Sequence, residues 1–260
     1  MVRQLNLEKQ ILKLPKKVLW CKKCVMSNQR PRIIFDEYGI CSGCRNSEKK
    51  EKIDWNLREK KLKALLKQHK SKNNNFDVIV PSSGGKDSVY VAHMLKYKYG
   101  MKPLTVTWSP LQYTKIGTRN FYKKINNGFS NLLFTPNGKV HKLLARLSLE
   151  ELGDAFHVFV LGQISYAFHI AKMMNIKLVF FGENGELEYA ADPKGIDRPF
   201  KPVEEWSDQH FKGSTLKELL NKGLEVKDYL KKNKEEILNE DLSFYEPLSI
   251  DEMSSSGIEG

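Results

Sequence analysis

The chain has 260 residues, 40% hydrophobic and 28% charged, which excludes a disordered or fibrous protein and leaves room for one substantial α/β domain plus a small module. Its 43 Lys and Arg against 31 Asp and Glu give a net charge of +12, but the excess is mostly Lys spread along helical segments. A solvated face, or a field that serves a phosphorylated or carboxylated small substrate, is therefore expected ahead of a dedicated nucleic-acid surface.

Residues 1–17 read as a polar lead-in with none of the features of a signal peptide. The longest charge-free run, 155–171, is shorter than the ~20 residues of a membrane span and is interrupted by Gly162-Gln163, so a cytoplasmic protein is expected. Cys21-Lys22-Lys23-Cys24 and Cys41-Ser42-Gly43-Cys44 then hold all four cysteines of the chain in the pattern C-x2-C-x16-C-x2-C. Two such knuckles place four thiolates around one tetrahedral ion, and the expectation is a structural Zn²⁺ held by Cys21, Cys24, Cys41 and Cys44. A redox C-x-x-C is the alternative, and disulfides fit poorly with a chain that lacks a secretion signal. Between the knuckles, 30–36 reads as a strand leading into a turn at Glu37-Tyr38-Gly39.

Asp54 is placed to cap a Lys-rich helix carrying Leu62, Leu65 and Leu66, which ends near the polar tract Lys72-Asn73-Asn74-Asn75. The chain thus parses into a lead-in at 1–17, a zinc-knuckle module at 18–50, a helical linker at 51–75 and a nucleotide-binding domain at 76–260.

The most informative stretch follows. An apolar run from Phe76 to Val80 reads as a buried parallel strand, followed by a turn of Ser and Gly and then by a helix with Val89, Ala92, Leu95 and Tyr99 at helical spacing. Strand, small-residue turn and helix make a phosphate site. The glycines let backbone approach an anion, the first helical N–H groups point at it, and the hydroxyls and Lys86 add donors. A Walker A loop would need Gly where Val80 stands and Ser or Thr where Asp87 stands, so that reading fails. The bland alternative is a glycine turn closing an ordinary β–α unit.

Further along, Pro103–Trp108 reads as a second strand, whose end Thr107-Trp108-Ser109-Pro110 lies where open α/β sheets bind ligands; equally, Trp108 is a candidate core residue. Helices are expected at 118–128, 140–152 and 162–175, with a short strand at 131–134. His169 reads as a packed or hydrogen-bonded histidine. Another buried strand, Ile176–Phe181, runs into Gly182-Glu183-Asn184-Gly185, a binding loop by position or else an acidic surface turn. Beyond Asp192 the pattern loosens. Ser214 is placed to cap a helix ending near Gly223, 226–238 reads as one charged helix, and Ser254-Ser255-Ser256-Gly257 reads as a tail.

Ser83-Gly84-Gly85-Lys86-Asp87-Ser88 resembles the SGGxDS signature of the ATP pyrophosphatases, or PP-loop enzymes. These cleave ATP between the α and β phosphates, attach AMP to a carbonyl oxygen and let a nucleophile displace it. The resemblance implies an α/β fold with a doubly wound, mostly parallel sheet, of the adenine nucleotide alpha hydrolase-like kind. It implies ATP and Mg²⁺ as cofactors, a loop of Ser82, Ser83, Gly84, Gly85, Lys86, Asp87 and Ser88 on the pyrophosphate, Asp87 placing Mg²⁺, and Thr107 and Trp108 on the adenine side.

Taken with the four-cysteine module, the run from Cys24 to Glu37 and Gly182-Glu183-Asn184, the chain resembles the N-acetyl sugar amidotransferases of surface polysaccharide and flagellin sugar biosynthesis. That resemblance implies conversion of an acetamido group on a nucleotide-linked sugar into an acetamidino group. Ammonia would come from a separate glutaminase subunit, with a cyclase-like subunit as a further partner. Lys86, Asp87 and Glu183 are the expected catalytic residues, and Gly182 and Asn184 the expected binding residues of the second loop. Members of the family run on further at the C-terminus, so 76–260 is read as the ATP-binding domain with a shortened substrate region. Two rivals stand beside this reading: a tRNA-modifying PP-loop enzyme of the thiolation or lysidine type, and a zinc-knuckle adaptor that binds nucleotide without turnover. Thiolation needs cysteines near the ATP site, and none follows Cys44.

Overall fold

The computed structural model describes residues 15–30, 33–183, 200 and 215–258. The chain divides into two compact units, Met1–Ala64 with Glu183–Lys201, and Leu65–Gly182 with Pro202–Gly260. The fold is mixed α/β with a small parallel sheet and a four-cysteine cluster.

Among its described residues, the first unit is built from two cysteine knuckles and two helices. Its two knuckles are closed by single antiparallel bridges, Trp20 to Ser27 and Phe35 to Cys41, and the second opens helix α1, Ser42–Lys50. The turn at Glu37-Tyr38-Gly39 forms as expected because Asp36 Oδ1 accepts from the N–H groups of Tyr38 at 3.0 Å and Ile40 at 2.8 Å. Pro31 and Arg32, within the expected strand, lie outside the described residues. Helix α2, Trp55–Gln68, starts where Asp54 Oδ1 accepts from Leu57 N–H at 2.9 Å. The division between units falls inside α2, between Ala64 and Leu65, ahead of the Lys72–Asn75 tract that composition singles out.

In the second unit, β1 (Val78–Pro81), β2 (Pro103–Trp108) and β3 (Asn131–Phe134) pair in parallel in the order β1-β2-β3. Of the expected fourth strand at Ile176–Phe181, a parallel bridge from Val179 to Ile79 lies on the other edge of β1. There Ile79 N–H donates to the Leu178 carbonyl at 2.9 Å and Phe180 N–H to the Ile79 carbonyl at 2.8 Å. β1 therefore has neighbours on both sides, which is why all four of its residues are buried and apolar.

Alternation splits the sheet into two faces. Ile79, Leu104, Val106 and Trp108 join the main apolar core with residues of α5 (Gly138–Leu152) and α6 (His157–Met173). Each fully buried aliphatic side chain there, such as Leu144, Leu147 or Leu161, contributes about 1.5–3 kcal/mol. The opposite face carries Thr105 and Thr107, beside α4 (Lys115–Asn126). The first crossover descends through α3, Lys86–His93, continued by a π-helical turn at Met94–Lys98. His169 packs as expected, its Nε2 3.0 Å from the Glu246 carbonyl.

The C-terminal region differs most from the sequence expectation. Helix α7, Leu216–Val226, is capped by Thr215 in a capping box with Glu218, whereas Ser214 lies outside the described residues. The single charged helix expected over 226–238 is two short ones, α8 (Asp228–Lys231) and α9 (Lys234–Leu238), which bury Leu230 and Ile237. The serine tail is in fact helix α10, Ile250–Ser256. Ser249 and Glu252 form a second capping box, Lys172 pairs with Glu252 at 2.7 Å, and Met253 and Ile258 join the core. Three serines hide this helix from composition; its cap and buried residues form it.

Candidate functional site

β1 ends at Pro81, and the next seven residues carry the candidate anion loop. Ser82 is buried, and its hydroxyl accepts from Ser88 Oγ at 2.9 Å, which ties the strand end to the first turn of α3 across the loop. Gly84 has φ +96°, and a Cβ there would stand 2.9 Å from the Phe121 backbone nitrogen, so both conformation and space demand glycine. Gly85 is the N-cap of α3 and offers no side-chain cap, so the helix begins without a side-chain acceptor on its first N–H groups and presents the positive end of its dipole. The Ser83 N–H also has no hydrogen-bond partner among the described residues. Lys86 and Asp87 are exposed and pair with each other, Nζ to Oδ1 at 2.6 Å. Such an arrangement can bind an anionic oxygen cluster without rearranging the fold.

Beneath the loop lies a residue that sequence reasoning missed. Lys124, on α4, is 2% exposed, and its Nζ donates to the Ser82 carbonyl at 2.9 Å and to Asn131 Oδ1 at 2.8 Å. It also stands 4.9 Å from the centre of the Phe121 ring. The Thr107 hydroxyl lies 2.6 Å from the same Ser82 carbonyl and 2.9 Å from Asn131 Oδ1. Burial pulls the Lys124 ammonium down to about 8. In the sequence nothing separates this lysine from its many solvated neighbours. A groove of about 440 Å³ opens above it between α3 and α4, lined by Gly84, Lys86, His93, Asn120, Lys123 and Lys124 among others.

The other predicted residues fall as follows. Trp108 is a core residue, 3% exposed, against Phe134 (ring centres 4.9 Å apart), Tyr166 (6.0 Å) and Tyr245 (4.9 Å). Of the two readings given for it, packing is the one observed; its indole presents no open face to an adenine. Thr107 is likewise buried, its hydroxyl engaged below the loop. Gly182, after the bridge segment, packs against the backbone of Ser88 at the start of α3. Glu183 is exposed and belongs to the first compact unit. Asn184 lies outside the described residues.

In the first unit, the four cysteine sulfurs lie within 4.8 Å of one another, with Cys21 to Cys44 at 4.0 Å and Cys24 to Cys41 at 3.6 Å. A tetrahedron of Zn–S bonds of about 2.3 Å has edges of about 3.8 Å, so the cluster can hold a metal ion such as zinc. Backbone N–H groups of Lys23 and Cys41 donate to Cys21 Sγ at 3.3 Å each, and that of Met26 to Cys24 Sγ at 3.4 Å, as suits thiolates. Burial opposes ionisation of Cys21, but the N–H groups of Cys41 and Lys23 outweigh it and bring its thiol to about 6. Burial and the neighbouring sulfurs push Cys44 up to about 12, a disparity that a bound cation would remove. Around the cluster, Arg45 pairs with Asp36 at 2.6 Å and Glu48 at 3.1 Å, and Lys23 with Glu48 at 2.6 Å, linking both knuckles and the turn. Lys23 and then Arg45 draw the Glu48 carboxyl below its ordinary value, and the Ile40 N–H and then Arg45 do the same for Asp36.

Among the described residues, no helix is long and apolar enough to cross a membrane. No protein-family model matches the chain, and no curated protein sequence matches it.

Proposed function

We propose that the second unit is an ATP pyrophosphatase-type domain of the doubly wound PP-loop kind, and that the chain is an AMP-forming N-acetyl sugar amidotransferase with a structural zinc in its first unit. The observation that carries the reading is the loop Ser82–Ser88. It presents uncapped N–H groups at the end of a buried parallel strand, in the one stretch whose sequence resembles that signature. The bridge at 178–180 supports it too. It gives β1 neighbours on both sides, so the loop sits where the sheet order reverses direction, the position where open α/β sheets bind ligands.

In this reading the amide oxygen of the N-acetyl group attacks the α-phosphorus of ATP and pyrophosphate leaves. Ammonia then adds to the former amide carbonyl carbon, the C–O bond breaks so that AMP departs with the former amide oxygen, and a proton is released as the neutral amidine forms. The loop N–H groups and Lys86 stabilise charge on the departing pyrophosphate. Mg²⁺, held by the Asp87 carboxylate, supplies further positive charge when bound. Glu183 orients the amide or accepts the proton from ammonia, Asn184 binds sugar or ribose, and Gly182 lets the second loop approach closely. Buried Thr107 and Trp108 fix the strand end rather than touch adenine. Ammonia arrives from a glutaminase subunit, with a cyclase-like partner. All four cysteines stand in the metal cluster, which leaves no thiol for sulfur transfer and disfavours tRNA thiolation.

The test is pyrophosphate release from Mg-ATP at high ammonium, across nucleotide-linked N-acetyl sugars and, separately, bulk tRNA, with products read by mass. Release that depends on one sugar, with oxygen replaced by NH, is the expected result. Release with tRNA alone would place the chain in the RNA-modifying branch, and bound ATP without turnover would favour an adaptor.

A further inference from the structure

The Ser82–Ser83 peptide is held from one side only. Its carbonyl accepts from Lys124 Nζ at 2.9 Å and from the Thr107 hydroxyl at 2.6 Å, both inside the fold. In a trans peptide the N–H points opposite to the C=O, so the Ser83 N–H faces away from these groups. It has no acceptor among the described residues. A cation on the carbonyl polarises the peptide and strengthens the N–H as a donor. Around Lys124 the hydrogen-bond partners from the loop after β1, from β2 and from β3 are all neutral oxygens, Ser82, Thr107 and Asn131, and the aromatic face of Phe121 closes the shell. A buried ammonium with neutral neighbours is costly unless a negative charge comes near it. The groove above it brings Lys86, Lys123 and His93, and Asp87 is paired to Lys86.

We propose that Lys124 is the positioning residue of the loop: its ammonium fixes and polarises the Ser82–Ser83 peptide toward a bound phosphate, and that phosphate is the charge the buried ammonium otherwise lacks. The inference rests on the reading of the loop as a phosphate site and adds to it a residue outside the motif. Phosphate binding and protonation of Lys124 are then linked. Its burial holds the ammonium near 8 in the free protein, so an anion above it drives proton uptake around pH 8, by about half a proton per site at most.

The experiment is calorimetric titration of the full chain with Mg-ATP, and separately with inorganic pyrophosphate, at pH 8 in buffers of different ionisation enthalpy. Wild type is expected to take up protons on binding. Lys124→Met, of similar length and uncharged, is expected to bind ~10-fold or more weakly with no uptake, although Lys86, Asp87, His93 and Lys123 are all retained. If Lys124→Met does not fold, the wild-type measurement decides alone, because binding without proton uptake overturns the proposal. Equal affinity and uptake in the variant also overturn it and leave the loop reading intact. Absence of binding by folded wild type overturns both.

Discussion

A methyl group on Gly182 would stand 2.7 Å from the backbone nitrogen and 2.7 Å from the Cα of Ser88. The chain leaving the 178–180 bridge thus lies directly on the first turn of the helix that follows the candidate anion loop. Gly182→Ala must push that turn aside, since backbone and not a flexible side chain is in the way. It is expected to lower Mg-ATP affinity ~10-fold or more while costing about 1–3 kcal/mol of stability, read by calorimetry and by denaturant unfolding.

Lys86 and Asp87 make a contrasting pair. Both are exposed and bonded to each other, so neither supports the core. Lys86→Ala and Asp87→Asn are expected to leave stability within about 0.5 kcal/mol of wild type. They are nevertheless expected to reduce ATP turnover by ~100-fold or more, with the Asp87 variant shifting the Mg²⁺ requirement to higher concentration. Turnover unchanged in both variants would mark the pair as surface decoration.

The core offers a control that should not touch the site. A Cβ on Gly162 would stand 2.3 Å from the Trp108 indole, so Gly162→Ala overpacks α6 against β2. The expected cost is about 1–3 kcal/mol in unfolding, with the mid-point shifted and nucleotide affinity changed less than ~3-fold.

His141 sets an acid limb. It is 2% exposed, its Nδ1 lies 2.7 Å from the Tyr245 hydroxyl, and burial brings its imidazole down to about 4. A depressed histidine stays neutral in the fold while the unfolded chain binds a proton near its ordinary value. Stability is therefore lost as pH falls from ~6.5 toward 4, by up to about 3 kcal/mol. His141→Gln is expected to flatten this limb relative to wild type in melts at pH 7.5, 6 and 5. An equal slope in both proteins would contradict the assignment.

The metal cluster is tested by content. Purified protein is expected to carry about one Zn²⁺ per chain, and Cys41→Ser, at a sulfur 3.6 Å from Cys24, to carry almost none. Hydrogen exchange in 21–50 should rise sharply in the variant.

Much of this was legible in the sequence because a few signals are local. Spacing alone placed the two knuckles, β2 and β3 span the ranges read for them, and the loop stood out by its glycines and its position after an apolar run. Other features depend on tertiary contact. Lys124 looks like any solvated lysine until β2, β3 and the loop after β1 each turn an oxygen toward it. Trp108 reads equally well as ligand platform or core until Gly162 is seen to give it room. The last helix hid behind three serines because its cap, Ser249 with Glu252, and its anchor, Met253, act through a core assembled from elsewhere in the chain.

The central claim is that the loop directs cleavage between the α and β phosphates. Phosphorus NMR of Mg-ATP turned over by the full chain, with ammonium and the nucleotide-linked N-acetyl sugar that supports turnover, tests it most directly. The account predicts AMP and pyrophosphate in equal amounts, lost together in Lys86→Ala. Formation of ADP and inorganic phosphate instead, or turnover indifferent to Lys86, would contradict it.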